Sequence, residues 1–256
     1  MSISIYHSFG NVSQSYGNNS LSIYWPNNST YYTMTLADGG YTVPDINYAI
    51  QQFCVVNGLY MMDSTGKNVY FVECVTNSNR YAVQLNFYTI PTTSQASSLG
   101  YTLPSSASWS LSASSSLTPT ITFSSAFGKL FGFGGGTYPA ASPLTSNVQL
   151  VSPMTPDIAT VNSLIFRSNI IQTQYNIPND VLYSIPLSVS YGSMITVNGN
   201  GVNQFVEVAN NRYDQVELLI CDQTGINTLN VMDTDCVIVL SLRKKQMATT
   251  AVAGHR

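Results

Sequence analysis

The chain has 256 residues, a length that fits one β-sandwich domain and is enough to bury a substantial core. Charged residues make up only 8% of it, against about 25% in typical soluble domains. Four of the nine basic residues lie in the last 14 positions. The rest of the chain therefore has five basic residues against 12 acidic ones, which excludes a basic phosphate-binding face there. A low-charge chain with 17 tyrosines is typical of proteins that pack against other chains, although a genome biased toward Ser and Asn would give a similar composition.

Short β-prone runs separated by turn residues dominate the chain. Residues 81–90 alternate apolar and polar side chains with the period of two of a half-buried strand, and TNSNR joins them to residues 69–75 as a predicted hairpin. Many short strands with frequent Gly, Pro and Asn predict an all-β sandwich or barrel. The predicted strands cover residues 20–25, 30–36, 69–75, 81–90, 121–124, 161–168, 180–188, 192–197, 205–209, 215–222 and 236–243.

Helix is scarce, and one segment near residues 44–57 carries the clearest helical pattern. Pro44 suits a first turn, Asp45 complements the helix dipole there, and Gly58 ends the pattern. A second short helix is expected within residues 124–132. Residues 92–119, rich in Ser and Thr, and residues 134–147, rich in Gly and Pro, are predicted to be loop insertions. Loops of this length inside a compact domain are usually functional or disordered.

The organisation expected from these patterns is one domain over residues 1–245 followed by a flexible tail over residues 246–256. Residues 243–256, which hold four of the nine basic residues, form a small positive arm with a weak potential to touch nucleic acid or an acidic neighbour. The N-terminus lacks the features of a signal peptide, and no window is apolar enough for a membrane span, so we expect a protein made inside a cell without a membrane partner. The four cysteines are interpreted as buried apolar residues, with a Cys221–Cys236 disulfide as an open alternative.

A search for catalytic, cofactor-binding and metal-binding residues finds none to assign. The two histidines, His7 and His255, have no acidic neighbours in sequence, and no short His or Cys spacing fits zinc. The glycine-rich stretch at 132–136 lacks the Lys-Ser/Thr of a phosphate-binding loop. We therefore expect no enzyme and no cofactor. A carboxylate-based hydrolase remains a further alternative, for which the three glutamates are Glu73, Glu207 and Glu217.

Several segments together resemble one family of viral proteins. They are LADGGYTVPDINYAIQQF, NRYAVQLNFYTIPT, FGKLFGFGGGTYP, VNSLIFRSNII, DVLYSIPLSVSYGSMI and VELLICDQTGINTLNVMDTDCVIVLSLR, which together span about residues 30–245. In order and spacing they are similar to the minor capsid (penton) proteins of virophages and Polinton-like viruses. The Ser-rich stretch 92–119 departs from this pattern, because its length has no counterpart in the resemblance.

The resemblance implies a single jelly-roll β-sandwich of two antiparallel sheets. It further implies a homopentamer at the fivefold vertices of an icosahedral double-stranded DNA virus, among trimers of a major capsid protein and other minor capsid proteins. The location that follows is the virion, assembled in the cytoplasm or viral factory of a host cell. The segments expected to carry assembly are residues 1–20, 92–119 and 134–147 and the C-terminal tail.

The alternative from another class is a receptor- or carbohydrate-binding jelly-roll module, such as a spike or a lectin-like sandwich. In that interpretation Tyr101, Trp109 and Tyr138 are exposed on loops and stack on sugar rings. The competing interpretation of these aromatic residues is packing between subunits. A major capsid protein is a fourth option, although double jelly rolls usually need a longer chain.

Overall fold

The computed structural model describes residues 2–140, 143–172, 178–197 and 206–242, so the tail at 246–256 lies outside the described residues. The helices are α1 (Val43–Val56), α2 (Thr93–Leu99) and α3 (Ser125–Phe131), with a 3-10 helix at Gln14–Tyr16. The strands are β1 (Ser2–Tyr6), β2 (Ser20–Trp25), β3 (Thr30–Thr35), β4 (Met61–Met62), β5 (Asn68–Val69), β6 (Val72–Asn77), β7 (Ala82–Phe87), β8 (Thr120–Phe123), β9 (Gly136–Tyr138), β10 (Val148–Val151), β11 (Ser163–Ser168), β12 (Val181–Pro186), β13 (Met194–Val197), β14 (Leu218–Cys221) and β15 (Cys236–Val239).

The fold class is all-β and jelly-roll-like, as predicted, and the strand pairs within the described residues are antiparallel. The described residues group into two compact units. Unit 1 combines the segment through Ser8 with the residues from Ser163 onward, and unit 2 runs from Phe9 to Asn162. The single domain expected over residues 1–245 stays a prediction.

Unit 2 holds two larger sheets, with strand orders β3-β2-β8-β9 and β10-β7-β6, and the short ribbon β4-β5. The hairpin predicted around TNSNR is the β6–β7 pair, in which Cys74 faces Leu85. Helix α1 shields the outer edge of β6, where the side-chain oxygen of Asn47 accepts the Cys74 backbone N–H at 2.9 Å. This contact satisfies one edge donor that would otherwise be open to another strand.

The core of unit 2 is aromatic. Phe123 of β8 lies 5.2 Å from the Phe127 ring and 5.7 Å from the Phe131 ring, both on α3. Trp25 of β2 lies 5.1 Å from Trp109 in an edge-on arrangement. Since large aromatic side chains dominate the energy of burial, these two clusters anchor the sheet that carries β2 and β8.

Helix α1 confirms the predicted helix near residues 44–57. Its start is a capping box: the Thr42 side chain accepts the Asp45 N–H, and the Asp45 carboxylate accepts the Thr42 N–H. The predicted second helix within residues 124–132 is also present, as α3. Beyond α1, Gly58 adopts a left-handed φ of 66°. A β-carbon added there would lie 2.5 Å from the Ser106 carbonyl oxygen, so a side chain would not fit.

The interpretation of residues 92–119 and 134–147 as plain loops is wrong in part. The first stretch begins with α2, capped by Thr92 and Gln95, and its Trp109 is only 6% exposed. The second stretch contains β9, which pairs with β8. Both stretches are thus partly built into unit 2, because a capping box and a buried indole hold the first and strand pairing holds the second.

Unit 1 holds two three-stranded sheets, with orders β13-β1-β15 and β12-β11-β14. Successive side chains of a strand point to opposite faces of its sheet. In β1 this buries Ile3 and Ile5 completely, and in β11 it buries Leu164 and Phe166 completely. Of the strand predicted at 205–209, residue 205 lies outside the described residues. The remainder makes only an isolated bridge, between Val208 and Ile171.

Replacing Arg167 with methionine is expected to lower the free energy of unfolding by about 1–3 kcal/mol, measured by urea titration. The guanidinium donates two hydrogen bonds to the Asp180 carboxylate, at 2.8 and 2.9 Å, and a third to the Gly225 carbonyl at 2.8 Å. The matched control is Arg212→Met, whose partner Asp214 is 3.7 Å away in a pair that is more than 90% exposed. Arg212→Met should change the free energy of unfolding by no more than about 0.5 kcal/mol. Equal losses from the two substitutions would show that the hydrogen bonds of Arg167 do not stabilise the fold.

Candidate assembly surfaces

The outer face of the sheet β3-β2-β8-β9 carries only hydroxyl side chains. In β2 the inward residues Leu21, Ile23 and Trp25 are buried, so the residues between them point outward. Strand register then sets the outward residues of the neighbouring strands. Thr120, which the register places opposite Tyr24, is buried. We call the remaining set the hydroxyl face: Ser20, Ser22, Tyr24, Tyr31, Thr33, Thr35, Thr122 and Thr137.

Four of the eight hydroxyl groups of this face are paired with one another. Ser22 Oγ lies 3.0 Å from Thr33 Oγ1, and Thr122 Oγ1 lies 2.9 Å from Thr137 Oγ1. The register places these four residues in one row across all four strands. Because each pair already shares a hydrogen bond, removing water from the face costs less than it would for unpaired hydroxyls. The threonine methyl groups and the tyrosine rings then remain available to contact another chain.

Two tyrosines extend the hydroxyl face beside this row. Tyr24 and Tyr31 occupy opposite positions on β2 and β3, and their ring centroids are 4.8 Å apart. Tyr31 is 66% exposed. Tyrosine is enriched at protein interfaces, and charged residues are depleted in interface cores, so this face has the composition of an interface core.

A second exposed face belongs to unit 1 and is more apolar. The sheet β13-β1-β15 buries Ile3, Ile5 and Ile195 on one side. Its other side, the valine face, consists of Ser2, Ser4, Tyr6, Met194, Thr196, Val237 and Val239, assigned from strand register. Val237 is 62% exposed, Val239 53% and Met194 47%. Contiguous apolar side chains exposed on a sheet usually mark a surface that another molecule covers.

Several acidic side chains of unit 2 serve local structure. Asp38 accepts hydrogen bonds from the Ser13 hydroxyl and the Gln14 N–H, and Asp63 accepts three in a tight turn. Hydrogen bonds from Thr65 and Lys67 lower the pKa of Asp63, and those from Thr42 lower the pKa of Asp45. These carboxylates act as caps and turn anchors, so their charge is not gathered into a site.

The carboxylates and the histidine with catalytic potential either have local partners or are exposed. Glu73 accepts the Tyr88 hydroxyl in unit 2, whereas Glu207 and Glu217 are exposed residues of unit 1. The His7 ring faces the Val189 carbonyl at 3.1 Å and the Tyr191 ring. In the part of the chain that the structure describes, no group of three or more His, Cys, Asp or Glu residues could hold a metal ion. No helix within that part is long and apolar enough to cross a bilayer.

The cysteines have little nucleophilic character where they are buried. All four are free, so the Cys221–Cys236 disulfide is not formed, and Cys54, Cys74 and Cys221 are buried. Burial raises the pKa of Cys54 and of Cys74 to about 12, so both thiols stay protonated at neutral pH. The interpretation of cysteine as a small buried apolar residue is confirmed for these three.

The aromatic residues expected on sugar-binding loops are mostly enclosed. The indole of Trp109 is buried and donates its N–H to the Gly58 carbonyl at 2.7 Å. Tyr138 packs 5.0 Å from the Phe133 ring and donates its hydroxyl to the Gly134 carbonyl. The prediction that Trp109 is exposed is therefore wrong, and Tyr101 alone of the three borders an open cleft.

Of the other segments expected to carry assembly, residues 2–6 form the central strand of the valine-face sheet. The tail lies outside the described residues. Sequence reasoning missed the hydroxyl face as a unit. Its signal is the run of Ser, Thr and Tyr at alternate positions of residues 20–24 and 31–35.

No protein-family model matches the chain, and no curated protein matches it significantly. A solved structure that resembles it is the crystal structure of the selenomethionine-labelled mavirus penton protein, with a TM-score of 0.39 and 9% sequence identity. The match covers 90% of this chain and 82% of that chain. At this level of similarity no residue role transfers between the two proteins.

Proposed function

We propose that the chain is a structural capsid protein, a penton subunit that forms homopentamers at the fivefold vertices of an icosahedral double-stranded DNA virus. The observation that carries the proposal is a pair of uncharged, exposed sheet faces, the hydroxyl face and the valine face. The sequence segments that resemble penton proteins of virophages and Polinton-like viruses support it independently. No catalytic, cofactor or metal role is part of this function.

A ring of identical subunits needs two different surfaces on each copy, which meet head to tail and close after a fixed number of copies. In our proposal the hydroxyl face of one copy packs on the valine face of the next. The paired hydroxyls of Ser22 and Thr33 offer methyl and ring surface, and Val237 and Val239 offer an apolar counterpart. Trimers of a major capsid protein and other minor capsid proteins surround the pentamer in the virion.

Chemical cross-linking tests this arrangement. Thr33→Cys and Val237→Cys are made separately in a Cys236→Ser background, which removes the native thiol that is partly exposed. A bis-maleimide should link the two variants to each other in a mixture, and should link a chain with both substitutions into a ladder that ends at five subunits. Covalent dimers of Thr33→Cys alone, or a ladder that ends at three, would contradict the head-to-tail pentamer.

A further inference from the structure

Unit 2 contains an open cleft of about 650 Å³. None of its lining residues belongs to the hydroxyl face or the valine face. It lies between the segment that joins β5 to β6, the segment after β7 and the helix α2. Small-molecule sites usually measure roughly 300–1,000 Å³, so this cleft is large enough for a ligand of one or two rings.

Three tyrosines, Tyr70, Tyr88 and Tyr101, supply aromatic surface to the cleft. The Tyr88 hydroxyl donates to the Glu73 carboxylate at 3.1 Å, which fixes the orientation of that ring. Burial and the neighbouring Glu73 raise the pKa of Tyr88, so the phenol stays neutral and keeps its proton. Tyr70 accepts a hydrogen bond from the Asn68 amide at 3.2 Å, which leaves its own hydroxyl hydrogen available.

Two amide side chains at the cleft are oriented by the backbone. The side-chain oxygen of Asn147 accepts the Thr89 N–H at 2.8 Å, and that of Gln95 accepts the Thr92 N–H at 2.8 Å. With both oxygens engaged in this way, the amide nitrogens are the groups left to contact a ligand. Each nitrogen carries two N–H donors, so the cleft presents up to four donors from side chains that are already held in place.

Hydroxyl acceptors complete the lining. Ser98 donates its hydroxyl hydrogen to the Ser94 carbonyl at 3.1 Å, and Ser116 donates to the Ile90 carbonyl at 2.8 Å. Both oxygens keep lone pairs that can accept from a ligand hydroxyl. None of the lining residues is charged, so the cleft has no partner for an ionic group.

We propose that this cleft binds a neutral carbohydrate of one or two pyranose rings. The tyrosine rings take the C–H face of the sugar, the amide N–H groups donate to sugar oxygens, and the serine oxygens accept from sugar hydroxyls. Anionic sugars are rejected, because their carboxylate or sulfate would be desolvated without a cation nearby. The inference does not rest on the capsid role, since glycan binding and ring assembly are measured separately.

The test uses the full chain on an array of neutral and anionic glycans, followed by titration calorimetry with the best neutral glycan found. The variant Gln95→Glu removes the amide donors but keeps the oxygen that caps α2, so the helix retains its capping box. We expect its affinity to fall by about tenfold or more. Gln52→Glu makes the same chemical change at an exposed position of α1 and should bind like the unmodified chain.

Tyr101→Leu provides a second, uncharged variant, which removes a ring and should also weaken binding of the same glycan. The proposal is overturned if no neutral glycan binds or if anionic glycans bind better than neutral ones. It is also overturned if a neutral glycan binds Gln95→Glu and Tyr101→Leu as tightly as it binds the unmodified chain. A fivefold ring that binds no glycan would refute the cleft proposal alone. A glycan-binding chain that never forms a ring would refute the vertex proposal alone.

Discussion

Replacing Trp109 with alanine is expected to lower the free energy of unfolding by about 3–5 kcal/mol, the largest loss that we expect from one substitution. The indole is 6% exposed, lies 5.1 Å from the Trp25 ring and donates its N–H to the Gly58 carbonyl at 2.7 Å. Alanine would leave a cavity beside Trp25 and would remove the hydrogen bond. The measurement is a urea titration followed by fluorescence and circular dichroism.

Two further variants separate the causes of this loss. Trp109→Phe keeps a ring but cannot donate to the Gly58 carbonyl, so it should cost less than the alanine change. Ser105→Ala changes an exposed residue in the same segment and should stay within about 0.5 kcal/mol. If Trp109→Ala lowered the free energy of unfolding no more than Ser105→Ala, residues 100–119 would not contribute to the core. The burial of Trp109 would then be wrong.

Placing two glutamates on the hydroxyl face, Thr33→Glu with Thr137→Glu, is expected to abolish self-association while the chain stays folded. Both threonines are exposed, on the two outermost strands of the sheet, so the carboxylates remain solvated in the single chain. In the ring each carboxylate would lose its water against the valine face, which offers no cation, at a cost of several kcal/mol per contact. The measurement is the mass in solution, together with the urea midpoint.

The control for this prediction is Thr155→Glu, an exposed threonine of unit 2 outside the hydroxyl face. It adds the same side chain and should leave both the mass and the urea midpoint unchanged. Assembly of the double variant at wild-type concentrations would show that the hydroxyl face is not the contact surface. A lower urea midpoint in the double variant would instead assign the effect to folding.

Local signals in the sequence predicted the local elements well. The helix α1 followed from Pro44, Asp45 and Gly58, because capping and termination depend on neighbouring residues. The β6–β7 hairpin followed from alternation on both sides of TNSNR, although the first run is divided between β5 and β6. The strand β2 was predicted with the boundaries that the structure has, Ser20–Trp25.

What the sequence left open depends on pairing between distant residues. The hydroxyl face requires β2 to pair with β8, about one hundred positions later, and no local pattern encodes that register. The burial of Trp109 likewise depends on Gly58, 51 residues earlier. One local signal was missed: Thr92 and Gln95 have the spacing of a capping box, which identifies the start of α2 inside the Ser-rich stretch.

The most direct test of the vertex proposal is the mass of the purified chain in solution, measured by light scattering over a range of concentrations. The proposal predicts a species with five times the mass of the 27.8 kDa chain, which persists on dilution because each subunit of a closed ring has two contacts. A chain that stays monomeric up to its solubility limit, or that forms a closed assembly of three, would contradict it.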